Sequence, residues 1–196
     1  VCQLWFLAII GSLGETSTAA HGVAIRCESM SWLWGDSFSI AAATLVGQSL
    51  GAGRPTLARQ YGWASLYLST AVLCGMGVLF LSIADQFVMI FANAAALSVR
   101  NEAASVLRII AFGMPALSAS IVLTGALRGA GDVTIPFIYN SVGMLLFRIP
   151  LAYALTGGIW SLGLWGAWIG MVADLYARGF FSLARFLADG WTKRDL

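Results

Sequence analysis

The sequence predicts an all-α integral membrane protein, a polytopic bundle of spanning helices, and three observations lead to this prediction. Of its 196 residues, 59% are hydrophobic and only 10% are charged, whereas an average soluble domain is about a quarter charged. The mean hydropathy is +0.83. The apolar runs are longer than the roughly 10-residue strands of membrane barrels, and they lack the alternation of such strands. Helices in lipid are therefore expected, and β-strands are not.

The apolar runs divide the chain into one partial helix and five full ones. A spanning helix needs about 20 residues, so only the first run is too short to cross a bilayer. The predicted segments are Val1–Ser12, Ala19–Leu50, Leu57–Ile90, Ser98–Leu127, Ile135–Leu155 and Leu162–Leu187. Because proline removes a backbone hydrogen bond, we expect Pro115 to kink the fourth helix and Pro150 the fifth. Each kink is either static or a hinge for conformational change.

Two short glycine turns separate long apolar runs. The first lies in GQSLGAGR at residues 47–54, and the second in LRGAGD at residues 127–132. Glycine just beyond the last helical turn is a common way to end a helix. Both segments therefore predict tight loops between antiparallel helices.

Positively charged residues concentrate near the helix ends that carry these turns. They are Arg54, Arg59, Arg128, Arg185, Lys193 and Arg194. The opposite loops, residues 11–20 and 155–161, hold no lysine or arginine, and only Arg100 lies near the remaining one. Since cytoplasmic loops are enriched in Lys and Arg, we expect the C-terminus in the cytoplasm, and Trp160 and Trp165 in the outer aromatic belt.

Composition and motifs exclude several functional classes. A net charge of only +2 does not suggest a nucleic-acid partner. With one histidine and no HExxH or Walker A sequence, neither a membrane-embedded enzyme nor an ATPase is expected. No catalytic residue, metal site or cofactor is therefore predicted. Cys2, Cys27 and Cys74 lack CxxC spacing, and we interpret them as buried apolar side chains.

Several ionisable residues are expected at bilayer depth, where such groups cost about 2.5–3.5 kcal/mol and mark functional sites. They are Arg26, Glu28, Asp36, Arg148 and Asp174. Glu28 and Arg148 should lie at similar depth, and three interpretations stay open. They form a structural ion pair, or the acidic residues form a cavity wall that attracts cationic substrates, or Glu28 takes part in proton coupling. Asp174 and Arg178, one helical turn apart, should neutralise each other.

Hydroxyl and aromatic side chains supply the other candidates for a substrate or ion pathway. Ser118 and Thr124 lie on the fourth helix, where small hydroxyls either allow close helix packing or line a cavity. Trp32 lies between Glu28 and Asp36, and its indole either stacks on planar cations or packs against lipid.

Short segments in a particular order carry a family resemblance. They are Leu13-Gly14, AAHGVA at 19–24, Glu28-Ser29, AAATLVGQ at 41–48, Gly51-Ala52-Gly53, LRGAGD at 127–132, Pro136, RIPL at 148–151 and GLWGAW at 163–168. In this order and spacing they resemble the C-terminal half of MATE (multidrug and toxin extrusion) transporters. The resemblance covers nearly the whole chain.

The resemblance implies that residues 1–196 form the C-terminal lobe of a twelve-helix antiporter, with a truncated first helix and without the N-terminal lobe. It implies alternating-access export of amphipathic, often cationic drugs in exchange for H⁺ or Na⁺, across a bacterial inner membrane. In the Na⁺-linked branch a carboxylate occupies the place held here by Leu117. The chain is therefore more similar to the DinF-like branch, in which an Asp of the absent lobe carries the proton. The alternative is a lipid-linked oligosaccharide flippase of the same broad superfamily, which would need a cationic cavity.

Overall fold

The computed structural model describes residues 2–158, 161–188, 190 and 191. Within these ranges the chain is helical with tight connections, and no β-strand occurs, as expected. The expectations for Trp160, Lys193 and Arg194 concern positions outside these ranges. The α-helices are α1 Cys2–Gly11, α2 Glu15–Gly51, α3 Pro55–Ala92, α4 Leu97–Ala111, α5 Met114–Gly129, α6 Thr134–Gly143, α7 Ile149–Tyr153 and α8 Leu164–Leu187.

The predicted fourth helix is broken into α4 and α5, whose axes differ by 59°. Pro115 lies in the first turn of α5, a position where the missing N–H would have had no helical partner. The predicted kink at Pro115 is therefore confirmed, and it is a break between two helices. The carbonyl of Phe112, at the break, accepts a hydrogen bond of 2.8 Å from the Tyr176 hydroxyl on α8.

The predicted fifth helix is continuous but irregular. Two π-helical segments, Met144–Arg148 and Ala154–Gly158, flank the short α7 that contains Pro150. A π-helical turn is wider than an α-helical one, and such turns are frequent where the regular hydrogen-bond ladder is interrupted. The structure therefore accommodates Pro150 by widening the helix on either side of it.

Helices α2 and α5 cross with their backbones in contact. Gly125 and Gly129 form a G-x-x-x-G pattern on α5, and a Cβ added at either would overlap the backbone of α2, at Ser39 and Ala43 respectively. A Cβ at Gly47 would lie 2.9 Å from the carbonyl oxygen of Gly129. Small residues permit such close approach of helices in membranes.

Both glycine turns have the same backbone. In the first, the N–H of Gly53 donates to Leu50 and that of Arg54 to Ser49; in the second, Gly131 donates to Arg128 and Asp132 to Leu127. Gly53 has φ +70° and Gly131 has φ +78°. These bonds and the left-handed glycine define a Schellman motif, which confirms that glycine ends both helices.

By length and composition, α3 and the span 134–157 can cross a membrane, and the bent pair α4–α5 is a third candidate if it counts as one span. Helix α2 has 37 residues and α8 has 24, and each is longer than the roughly 20 residues that one crossing requires. Both carry charged side chains, including Glu28 and Asp36 on α2 and Asp174 on α8. These charges lower the hydropathy of two helices that are long enough to span.

Candidate functional site

Among the described residues five charged side chains are buried, and one of them, Asp132, lies in the second glycine turn while the other four lie on the helices. Glu28 on α2, Arg148 at the end of the first π-helical segment, and Asp174 and Arg178 on α8 are each at most 6% exposed. Arg178 Nη2 lies 2.8 Å from Asp174 Oδ2, which confirms the predicted pairing one turn apart on the last helix. Since Asp174 is fully buried, the pair keeps an otherwise costly charge neutralised.

Glu28 and Arg148 are both buried, but their side chains have other contacts. Trp32 Nε1 donates a hydrogen bond of 3.0 Å to Glu28 Oε1, and the Arg148 guanidinium carbon lies 4.8 Å from the ring centroid of Phe6. Among the described residues, the ion pairs within 4 Å do not include Glu28 with Arg148. The structure therefore shows no direct ion pair between Glu28 and Arg148. Their electrostatic attraction acts at longer range.

A polar pocket of about 150 Å³ lies where α2, α5, α6 and α8 meet. It is lined by Trp32, Asp36, Ser120, Ile121, Thr124, Arg128, Asn140 and Arg178. Trp32 and Asp36 are one turn apart on α2, and Ser120, Thr124 and Arg128 are successive turns of α5, so each set shares one helix face. We call this the polar pocket.

The polar pocket contains charges of both signs. The carboxylate of Asp36 is exposed, and no described residue forms an ion pair or hydrogen bond with it. Arg128 is exposed as well, and in the described part of the chain its one hydrogen bond runs from Nη2 to Ser39 Oγ, at 3.5 Å. Arg178 is compensated by Asp174, which leaves Asp36 and Arg128 as the two charges available to a ligand.

Hydroxyl groups connect one wall of the polar pocket to α8. Ser182 Oγ lies 3.0 Å from Tyr139 Oη, and Thr124 Oγ1 lies 3.2 Å from the same phenol oxygen. Ser182 also donates to the Arg178 carbonyl at 2.9 Å. These bonds hold α5, α6 and α8 together beside the pocket.

The six residues singled out by sequence fall into two groups. Trp32, Asp36 and Thr124 line the polar pocket, and Glu28 contacts it through Trp32. The other two do not line it. Ser118 is fully buried and lies 3.0 Å from Thr70 Oγ1 on α3, and Arg148 contacts Phe6.

Sequence reasoning missed Arg128 and Asn140 as pocket residues. In the sequence, Arg128 served only as evidence for the cytoplasmic side of the membrane. Its spacing of four residues from Thr124 nevertheless places both side chains on one face of α5. Asn140 is an amide within an apolar helix, and its Nδ2 donates to the Pro136 carbonyl at 2.8 Å. Among the described residues, no group of three His, Cys, Asp or Glu side chains is placed to hold a metal ion.

Known proteins resemble this chain in sequence. It is 30% identical over 195 residues to a probable multidrug resistance protein NorM of Thermotoga maritima, covering 97% of this chain and 40% of that protein. It is 26% identical over 198 residues to the human multidrug and toxin extrusion protein 1, covering 98% of this chain and 34% of that protein. The chain thus spans about 40% or less of the length of these relatives.

The fold is also that of a solved transporter structure. The eukaryotic MATE transporter AtDTX14 superimposes with a TM-score of 0.87 at 21% identity, over 96% of this chain and 43% of that structure. The all-helical architecture predicted from sequence is thereby confirmed.

The family model named MatE matches residues 1–154. That match and the relatives above confirm the predicted resemblance, and members of the family are transporters and not enzymes. The assignment to the DinF-like branch stays a prediction from the sequence. The chain belongs to the MatE family, and it is a multi-pass membrane protein.

Proposed function

We propose that this chain is the C-terminal lobe of a two-lobed antiporter that exports amphipathic, often cationic drugs across a bacterial plasma membrane. The observation that carries the proposal is the polar pocket, where the Asp36 carboxylate and the Trp32 indole line the same space. A carboxylate attracts a cation, and an indole stacks on a planar one. Together they supply the two kinds of contact that an amphipathic cation needs.

The size of the polar pocket supports a two-lobed arrangement. Small-molecule sites usually enclose about 300–1,000 Å³, whereas this pocket has about 150 Å³. Two-lobed transporters bind substrate near the interface of their lobes. We therefore propose that a partner lobe supplies the rest of the cavity, and that rocking of the lobes gives alternating access without covalent chemistry.

Coupling to H⁺ or Na⁺ is part of the proposal, and the carboxylates of this lobe are its local candidates. Glu28 is buried and accepts a hydrogen bond from Trp32, and Asp36 lines the polar pocket with Trp32, so the two carboxylates flank Trp32 along α2. Thr124 places its hydroxyl in the polar pocket. Ser118 and Arg148 do not line the pocket, and we propose that they support the packing of the helices around it. In the DinF-like branch the main proton carrier would be an Asp of the other lobe.

Orientation follows from the arginines at the glycine turns. Arg54 and Arg128 lie at the ends of α2 and α5, which share one side of the bundle. Since positive residues favour the cytoplasmic side, we propose that both turns and the C-terminus face the cytoplasm of a bacterial cell.

The proposal is tested by export of a fluorescent amphipathic cation from cells that express the complete protein. Asp36→Asn should reduce the export rate about tenfold, because a charge-assisted contact is worth about 1.5–3 kcal/mol. Glu15→Gln is the matched control, since it removes a carboxylate from the exposed start of the same helix, outside the polar pocket. Equal dye accumulation with and without the protein would contradict drug export.

A flippase for lipid-linked oligosaccharides is the second candidate, and Arg128 is the observation that favours it. Guanidinium groups bind phosphates well, and Arg128 has no described carboxylate partner. Against it, Asp36 places a negative charge in the same pocket. Movement of a fluorescent lipid-linked sugar across vesicles that contain the purified protein, with no export of the cationic dye, would favour the flippase.

A further inference from the structure

We propose that the exposed face of α4 binds a phospholipid whose headgroup carries a primary ammonium, as in phosphatidylethanolamine. An acyl chain of this lipid lies in an apolar groove between α4 and α8, and its headgroup contacts the ion pair of Asp85 and Arg108. The site shares no residue with the polar pocket. The inference therefore goes beyond the proposed drug export and does not depend on it.

The first support is the groove, which has a volume of about 380 Å³. Its walls include the apolar side chains of Ile109 and Phe112 on α4 and of Ile169 and Val172 on α8. From Ser105 to Phe112 the groove follows α4 for about 10 Å, at a rise of about 1.5 Å per residue. Because the hydrocarbon core of a bilayer contains no water, an open apolar groove at this depth is filled by an acyl chain. We call it the α4–α8 groove.

Hydrogen bonds fix both ends of the α4–α8 groove. At one end, Trp165 Nε1 on α8 donates to Ser105 Oγ on α4 at 2.9 Å. At the other, the Tyr176 hydroxyl donates to the Phe112 carbonyl at 2.8 Å, at the break between α4 and α5. Since tryptophan is enriched at membrane interfaces, the end with Trp165 is the one near the lipid headgroups. The walls of the groove are thus held in place before a lipid binds.

The second support is a smaller pocket of about 160 Å³ between α3 and α4. It is lined by Asp85, Met89, Leu97, Arg100 and Asn101, and we call it the α3–α4 pocket. Its α4 residues belong to the first two turns of that helix, whereas the α4–α8 groove begins further along the helix. The α3–α4 pocket therefore lies closer to the membrane surface than the groove does.

Arg108 connects the two sites. It lines the α4–α8 groove, and its Nη2 donates to Asp85 Oδ2 of the α3–α4 pocket at 2.6 Å. With 3.6 residues per turn, Asn101, Arg108 and Phe112 lie within about 40° of each other around the axis of α4. One elongated molecule that is polar at one end can therefore contact both sites along a single face of α4.

The third support is the charge of the α3–α4 pocket and its edge. The side chains of Arg108 and Asp85 are 42% and 59% exposed, so a headgroup can reach both. Arg100 supplies a second guanidinium, and its Nε is buried without a hydrogen-bond partner among the described residues. Guanidinium groups bind phosphate, and a carboxylate accepts strong hydrogen bonds from an ammonium. A headgroup with a phosphate and an ammonium satisfies both kinds of group.

The carboxylate of Asp85 distinguishes this headgroup from others. The trimethylated ammonium of phosphatidylcholine has no N–H to donate to Asp85, and phosphatidylglycerol has no positive charge with which to balance it. A primary ammonium offers both the charge and the hydrogen bond. We therefore expect phosphatidylethanolamine to bind more tightly than either of the other two lipids.

Three lipids with the same acyl chains and different headgroups test the inference. The complete protein is freed of lipid in detergent and titrated with palmitoyl-oleoyl phosphatidylethanolamine, phosphatidylcholine or phosphatidylglycerol. Native mass spectrometry counts the bound lipids and gives the affinity of the first one. We expect the first phosphatidylethanolamine to bind about tenfold more tightly than phosphatidylcholine, the ratio that one charge-assisted hydrogen bond provides.

Variants assign the preference to particular side chains. Asp85→Asn should weaken phosphatidylethanolamine binding to the level of phosphatidylcholine, whose unchanged affinity reports an intact groove. Exposed ion pairs contribute little to stability, so this variant should fold. Arg108→Gln should weaken all three lipids, because each carries a phosphate. Glu15→Gln is the matched control, since it removes an exposed carboxylate at the start of α2, outside both sites.

The outcomes separate this inference from the proposed function. Equal affinities for phosphatidylethanolamine and phosphatidylcholine, or a preference that Asp85→Asn leaves unchanged, overturn it. Tightest binding of phosphatidylglycerol shows a site for anionic lipids, which also overturns it. Unchanged affinities in Arg108→Gln place the bound lipid elsewhere on the protein, with the same consequence. Export of the cationic dye is measured separately, so its failure leaves the lipid site standing.

Discussion

The two glycine turns have the same backbone but different surroundings. Both end a helix with a left-handed glycine and the same two hydrogen bonds. In the first turn, residues 51–54 are all exposed. In the second, Ala130 and Asp132 are fully buried, and Asp132 Oδ2 accepts a hydrogen bond of 2.7 Å from Arg185 Nε on α8. Local sequence determines the backbone conformation of each turn, and tertiary packing determines how much the turn contributes to the stability of the protein.

Loss of the Asp132 carboxylate should have the largest effect. Asp132→Ala removes a buried partner of Arg185, and breaking such a pair costs about 3–5 kcal/mol. We expect a clear drop in thermal stability of the protein in detergent micelles, followed by far-UV circular dichroism. Arg54→Ala, at the equivalent position of the first turn, should change stability by less than about 0.5 kcal/mol. Equal losses in the two variants would show that burial does not distinguish the turns.

A methyl group added at the last helical residue before each turn should give the next largest difference. Gly129→Ala forces a Cβ into the backbone of Ala43, and overpacking of this kind costs about 1–3 kcal/mol. At Gly51 nothing lies within 4 Å of an added Cβ, so Gly51→Ala should be neutral or slightly stabilising, since alanine favours helix more than glycine. The same thermal unfolding measurement compares them. A tolerated Gly129→Ala would mean that the α2–α5 crossing is looser than the structure shows.

The smallest effect should be shared by both turns. Gly53→Ala and Gly131→Ala each place a side chain at positive φ, which costs about 1–2 kcal/mol. Because the backbone motif is the same, the two losses of thermal stability should agree within error. A much larger loss at Gly131 would indicate that its buried surroundings add to the local strain.

The sequence predicted the parts of this fold that depend on local chemistry. The glycines correctly predicted both helix ends, and Pro115 predicted the break between α4 and α5. The four-residue spacing of Asp174 and Arg178 predicted their ion pair. Each of these follows from residues within one or two turns of each other. Such features need no knowledge of how the helices pack.

The parts that were missed depend on packing between distant segments. Glu28 and Arg148 were expected at similar depth. Depth alone does not reveal that Trp32 contacts the Glu28 carboxylate and that Phe6 lies against the Arg148 guanidinium. Ser118 and Thr124 looked equivalent by sequence, yet they face α3 and the polar pocket respectively. Rotation of a helix about its axis decides such cases, and a uniformly apolar helix leaves little pattern from which to read that rotation.

The backbone contact between α2 and α5 has a consequence for dynamics. Where Gly125 and Gly129 lie against Ser39 and Ala43, no layer of side chains separates the helices, so they cannot slide by changing rotamers. We therefore expect the two helices to move together where they cross, and any bending of the lobe to occur at the α4–α5 break or the π-helical segments. Asp36 and Arg128 lie on these two helices, so we expect the spacing between their backbone positions to change little when the rest of the lobe rearranges.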